Sequence, residues 1–218
     1  VKAVGKAFLC KKHRNMKNVV ILGATGTLGS RLTKRLMQTG HYQLTLVSRH
    51  ASGVFTDKEN IRAIDCDATS GDALAGILPG NDVVVCAISG ELPKVAQALT
   101  HAMKKAWVKR LVFMGAVGIY NEIPDEIDGE DNVANNPDQI PNRDAVGIIE
   151  KSDLVYTILR PGYLKDDVGG DMAVTRKGEA AKGYETSIPA LVELICSIIG
   201  NDSLYAGESI SYTNDMTR

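Results

Sequence analysis

Four consecutive branched residues, Val19-Val20-Ile21-Leu22, run directly into Gly23-Ala24-Thr25-Gly26-Thr27-Leu28-Gly29. This junction constrains the chain more than any other segment. An unbroken apolar run, rather than an alternating one, is the pattern of a strand buried on both faces of a parallel sheet. Leu28, Leu32 and Leu36 then recur at helical spacing, so the glycines occupy a turn between a strand and an amphipathic helix.

The same signature repeats. Leu44 to Val47, Ile61 to Ile64, Val83 to Val85, Leu111 to Phe113 and Val155 to Leu159 each read as short buried strands. Helical spacing is found in Leu28 to Met37, Gly71 to Leu78, Leu92 to Lys105, Asp144 to Lys151 and Ile188 to Ile199. Parallel strands require such crossovers, and right-handed crossovers put helices on both faces. The expected fold is therefore α/β, a doubly wound parallel sheet in a single domain. Gly207 to Thr213 reads as a late strand closing one edge, and Gly118 to Asn142 as one long irregular loop.

At 218 residues one core is expected. Residues 1–15 read as an extension foreign to the domain, with Met16 as the initiator and the domain spanning 16–218. A genuine extension, disordered or helical, is the alternative. Val1 to Arg14 has a basic end, but only Ala7 to Cys10 as an apolar stretch, too little for a secretory signal.

Lysine plus arginine (25) nearly balances aspartate plus glutamate (26), which argues against nucleic acid or an anionic membrane as a partner. No apolar run approaches the roughly 18 residues of a spanning helix. Cys10, Cys66, Cys86 and Cys196 lie far apart, so neither a zinc site nor a disulfide framework is expected, and a reduced, cytoplasmic setting fits. Cys66 and Cys86 read as buried strand-end residues without a redox role, since no basic neighbour lowers their thiol pKa.

The glycine turn points to a dinucleotide. Gly23 allows the sharp turn, Gly26 lets backbone approach a pyrophosphate, and Gly29 lets helix and strand pack closely. The amides at the helix start, through Thr25, Thr27 and Leu28, face the phosphates with the positive end of the helix dipole. At the end of the second strand, Val47-Ser48-Arg49-His50 carries no acid for an NAD ribose, while Arg49 offers a charged fork for the extra phosphate of NADP. NADP is thus expected over NAD. Asp67-Ala68, past the third strand, is placed to reach the adenine amine. Ala87-Ile88-Ser89, past the fourth, is small enough to lie along the dinucleotide.

Taken together, the glycine turn, Arg49, Asp67-Ala68, Lys109 to Phe113, Gly118-Ile119-Tyr120 and Tyr156-Thr157-Ile158-Leu159-Arg160-Pro161-Gly162 resemble the atypical short-chain dehydrogenase/reductases, in particular the NmrA-like NAD(P)H-binding family. The resemblance implies a Rossmann fold with the nicotinamide near Ala87 to Ser89, Gly115-Ala116 and Pro161 to Leu164. It also implies a Ser, Tyr and Lys as the proton-transfer set, and here this chain departs from the pattern. Ala116 stands at the serine position, and the Tyr-x-x-x-Lys pair falls on Asp138 and Asn142. The usual general acid and its tuning cation are missing. No catalytic residue is assigned.

Tyr120 reads as packing the loop base rather than as a replacement acid, and the acids from Glu122 to Asp131 as a solvated loop rather than a metal site. The short stretch after Pro161 disfavours sugar-nucleotide substrates. A conventional dehydrogenase or epimerase is disfavoured by the missing acid-base groups, and two other functions lead. One is an NADPH-dependent reductase passing hydride to a small-molecule acceptor such as a flavin or quinone; the other is a non-catalytic NADP-sensing module acting on a protein partner.

Overall fold

A computed structural model describes residues 16–217. The expectation for residues 1–15 lies outside the described residues. The first strand, β1 (Lys17–Leu22), has Val19 to Leu22 fully buried. It pairs in parallel with both β2 (Tyr42–Ser48) and β4 (Val83–Cys86), which accounts for its unbroken apolar run.

The remaining strands are β3 (Ile61–Asp65), β5 (Arg110–Met114), β6 (Val155–Pro161), β7 (Tyr163–Lys165), β8 (Met172–Arg176), β9 (Glu185–Ser187) and β10 (Glu208–Asn214). The main sheet runs β3-β2-β1-β4-β5-β6-β10-β8, parallel except for antiparallel β8. The chain builds outward from β1 to β3, then returns to start β4 on the other side of β1. The carboxyl ends of β1 and β4 therefore frame the crevice where open α/β sheets bind ligands. This is the expected Rossmann-type architecture.

Helices α1 (Thr27–Thr39) and α6 (Ile188–Gly200) cover one face; α2 (Gly71–Ile77), α3 (Leu92–Ala106) and α5 (Ile140–Glu150) cover the other. In α1 the buried residues include Leu28, Leu32 and Leu36, one turn apart, and Gly40 ends the helix at φ 64°, returning its N–H to Met37 O. Truncating such a fully buried leucine to alanine costs about 2–5 kcal/mol. Among the described residues, no helix is long and apolar enough to cross a membrane.

Three sequence expectations need correction. The late strand does not close an edge: β10 lies between β6 and the antiparallel β8. The segment 118–142 is not irregular throughout, because it holds the short helix α4 (Asp125–Asp128) and 3-10 turns at Gly129–Asp131 and Pro137–Gln139. Helix α5 begins at Ile140 rather than Asp144, since Pro141 in its first turn has no amide to leave unbonded.

Candidate functional site

The turn after β1 is closed by its own backbone, with Gly26 N donating to Gly23 O at 2.9 Å. Gly23 stands at φ +83°, and a Cβ there would lie 2.5 Å from Ala87 O. A Cβ on Gly29 would lie 2.1 Å from Gly23 O, so only a glycine lets α1 start this close to the turn. The N-cap of α1, Gly26, supplies no side-chain acceptor, and no acid occupies its first turn. By contrast, Ser70 and Ser187 cap α2 and α6 with their side chains. The leading amides of α1 thus stay available to an anion.

Beside this turn opens a cleft of about 430 Å³, lined by Gly23, Thr25, Gly26, Arg49, Asp67, Ala68, Ala87, Ile88 and Ser89, nine of the residues singled out from sequence. Thr27, Leu28 and Gly29 are not in its lining. Leu28 buries its side chain in the core beneath the turn, and all three stand in the first turn of α1. Gly115, Ala116 and Pro161 form a second group, at the adjoining ends of β5 and β6. Gly115 N donates to Leu159 O at 2.8 Å, and Val117 N to Pro161 O at 2.9 Å.

Ser48, His50, Thr69 and Glu91 also line the cleft, and sequence reasoning missed them as site residues. His50 was findable as the polar residue next to Arg49. Thr69 closes a local turn on Asp67, a signal the Asp-x-Thr spacing offered: its N–H and hydroxyl both donate to Asp67 Oδ1 at 2.9 Å. Those bonds, with smaller help from Arg49 and Lys94, hold the Asp67 carboxyl below its ordinary pKa.

Burial works against ionisation of the two cysteines nearest the site. Burial pushes the Cys86 thiol up to about 12, and burial followed by the Asp67 charge raises that of Cys66. Cys66 is only half-buried and borders the cleft, a correction to its expected full burial.

Where the resemblance would place proton-transfer groups, Ala116 is half-buried and has no hydroxyl, Asp138 is exposed, and Asn142 donates to Gln139 Oε1 at 3.1 Å. Tyr120 donates to Glu150 Oε1 at 2.7 Å and to Ser209 Oγ at 3.2 Å. Burial first, then the Glu150 bond, raises its pKa. Arg160 lies 4.9 Å and Lys177 4.5 Å from its ring centre. A phenol so engaged packs the base of the loop. Glu122 corrects the expectation of a solvated acidic loop, being buried and paired with Arg160. Among the described residues, no His, Cys, Asp and Glu cluster could hold a metal ion.

This geometry is matched by similarity. The family model for NAD(P)H-binding proteins matches residues 23–202. The chain belongs to that family. A Rossmann-fold NAD(P)-binding family protein from Shigella flexneri is 31% identical, with 93% of this chain and 95% of that one covered at a TM-score of 0.77. A wide-type short-chain dehydrogenase/reductase from Veillonella parvula, solved in complex with NADP, is 22% identical at a TM-score of 0.83, covering 92% and 96%. An anaerobillin reductase from Escherichia coli O157:H7 is 15% identical at a TM-score of 0.74, covering 93% and 99%. These last two likenesses are of fold. Among curated proteins, none matches the chain. Within the NAD(P)H-binding family, a cradle of glycine turn, uncapped helix start and strand-end arginine fits a dinucleotide.

Proposed function

We propose that this NAD(P)H-binding protein is an NADPH-dependent reductase of the NmrA-like type, acting on a small acceptor that takes its protons from water, such as a flavin or quinone. The observation that carries this reading is one cleft bringing the glycine turn together with exposed Arg49, while Tyr120 is withdrawn into a buried network.

When bound, the reduced cofactor supplies a hydride. The chain's own residues bind and orient. Gly23, Gly26 and the leading amides of α1 hold the pyrophosphate, and Arg49 pairs with the additional phosphate of NADP. Asp67-Ala68 and Ala87 to Ser89 flank the adenosine and the dinucleotide backbone. Gly115, Ala116 and Pro161, at the adjoining ends of β5 and β6, would hold the nicotinamide end, where their side chains offer no proton donor. No side chain of this set moves a proton, which confines the reaction to acceptors whose reduced form is protonated by solvent.

NADPH oxidation with a panel of flavins and quinones tests the proposal. Acceptor-dependent turnover is expected. Tight NADPH binding with no acceptor accelerating oxidation would refute it. A sensing role gains less support, because the loop it would use is already braced by Glu122–Arg160, by Asn132 to Ile123 in both directions and by Tyr184 to Asp131. Little of that loop is left for a ligand to order.

A further inference from the structure

Between β2 and β3 the chain crosses from Arg49 to Asn60 without a helix. A helix-less crossover has no hydrogen-bonded rod to fix its course, yet this one carries Arg49 and His50 into the cleft. It is pinned elsewhere. Phe55 packs on the core, and Asp57 Oδ1 accepts from Ala63 N at 2.7 Å. The pin nearest the cleft is a two-point clamp: Ser52 N donates to Asp65 Oδ1 at 2.8 Å, and Ser52 Oγ to Asp65 Oδ2 at 2.6 Å.

Asp65 is the last residue of β3 and the register partner of Ser48, the last residue of β2. Arg49 and His50 therefore lie on the short bridge between a strand end and the clamped Ser52. Ala51, in the same bridge, is fully buried. Each carboxylate oxygen accepts from Ser52, and the His50 charge and the Ala51 N–H add smaller contributions from the same bridge.

We infer that the Ser52–Asp65 clamp is a specificity-determining device: it positions the Arg49-His50 bridge over the cleft, and so sets the preference for a dinucleotide bearing an extra phosphate. The inference rests on the NADP reading above. Arginine must give up rotamer freedom to grip a phosphate, and a backbone already fixed lowers that cost. The clamp's own charge works in the opposite sense, since a carboxylate repels a phosphate. Ser52 donors, with a smaller contribution from His50, hold the Asp65 carboxyl below its ordinary pKa, so that charge persists. Geometry and charge thus predict opposite outcomes, and substitution separates them.

NADP and NAD binding to the full chain, measured by titration calorimetry, tests this. Asp65→Ala breaks the clamp and is expected to weaken NADP by about tenfold while leaving NAD within about twofold. Asp65→Asn, whose amide can bond both Ser52 groups without charge, is expected to keep or tighten NADP. Ser52→Ala, which retains the carboxylate and one bond, should show a smaller selective loss of about threefold, and serves if Asp65→Ala does not fold. On an Arg49→Ala background, Asp65→Ala should cost NADP nothing further.

A loss shared equally by NADP and NAD would reduce the clamp to a structural tie and overturn the inference. Unchanged NADP affinity in Asp65→Ala and Ser52→Ala, with Arg49→Ala still selective, overturns the clamp alone. Unchanged preference in Arg49→Ala removes instead the cofactor reading on which it rests.

Discussion

The guanidinium of Arg160 donates from Nη1 to Glu122, with the two side chains 0% and 4% exposed. This pair joins the end of β6 to the first turn of the segment that follows β5, and Arg160 Nε adds a bond to Ser209 Oγ on β10 at 3.1 Å. Burial lowers the Arg160 pKa to about 10, the expected sign for a cation taken out of water. Removing one partner of a buried pair leaves the other charge uncompensated. Glu122→Gln is therefore expected to destabilise the fold by about 3–5 kcal/mol, read from the midpoint and slope of denaturant unfolding. A change under about 1 kcal/mol would show that Arg160 finds its balance elsewhere.

Tyr120→Phe separates a packing tyrosine from a catalytic one. The variant keeps the ring between Arg160 and Lys177 and loses only the bonds to Glu150 and Ser209. A stability loss of about 1–2 kcal/mol is expected, with acceptor-dependent NADPH oxidation kept within about threefold. A drop of 100-fold or more, on the scale of about 10² to 10⁴ for general acid catalysis, would make Tyr120 the proton donor and end the solvent-protonation reading.

Gly29→Ala places a methyl where Gly23 O stands, at 2.1 Å. Backbone cannot yield as a flexible side chain can, so α1 must shift away from the turn. The expected result is a loss of about 1–3 kcal/mol in stability, together with NADP and NAD binding weakened alike. That shared loss distinguishes damage to the pyrophosphate cradle from damage at Arg49. Retained binding of both dinucleotides would mean that the amides of α1 do not hold the phosphates.

What was legible in sequence followed from local causes. The strand–turn–helix at Val19 to Leu36 declares itself because β1 is buried on both faces and α1 on one, and the glycines answer a steric demand within a few residues. Nine residues named from that logic line one cleft. What escaped depends on distant partners. Strands β7 and β9 are three residues each and exist only through each other, and β8 owes its place to antiparallel pairing with β10. Glu122 resembles its acidic neighbours in sequence, and only the fold brings Arg160 against it. The Ser52–Asp65 clamp is likewise invisible until β2 and β3 stand side by side.

The alkaline limb of stability carries a further prediction. Cys86, at the end of β4 between β1 and β5, has its thiol pushed up to about 12 by burial, against a small opposing effect of the Ile88 N–H. An unfolded cysteine ionises near about 8.5. The folded value is the higher one, so the contribution to stability is fully present below about pH 8.5 and is lost as pH rises through the folded value. Cys196, raised to about 11 mainly by burial, acts in the same direction. Stability is expected to hold level from about pH 7 to 8 and to fall above about pH 9, each such thiol adding up to about 1.4 kcal/mol per pH unit. Cys86→Ala lowers stability near neutral pH by leaving a small cavity, and because it lacks the buried thiol its alkaline slope should be shallower than that of the parent, so the deficit shrinks as pH rises. Chemical denaturation at a series of pH values reads that slope directly, and parallel slopes in the two proteins would show that Cys86 ionises without unfolding.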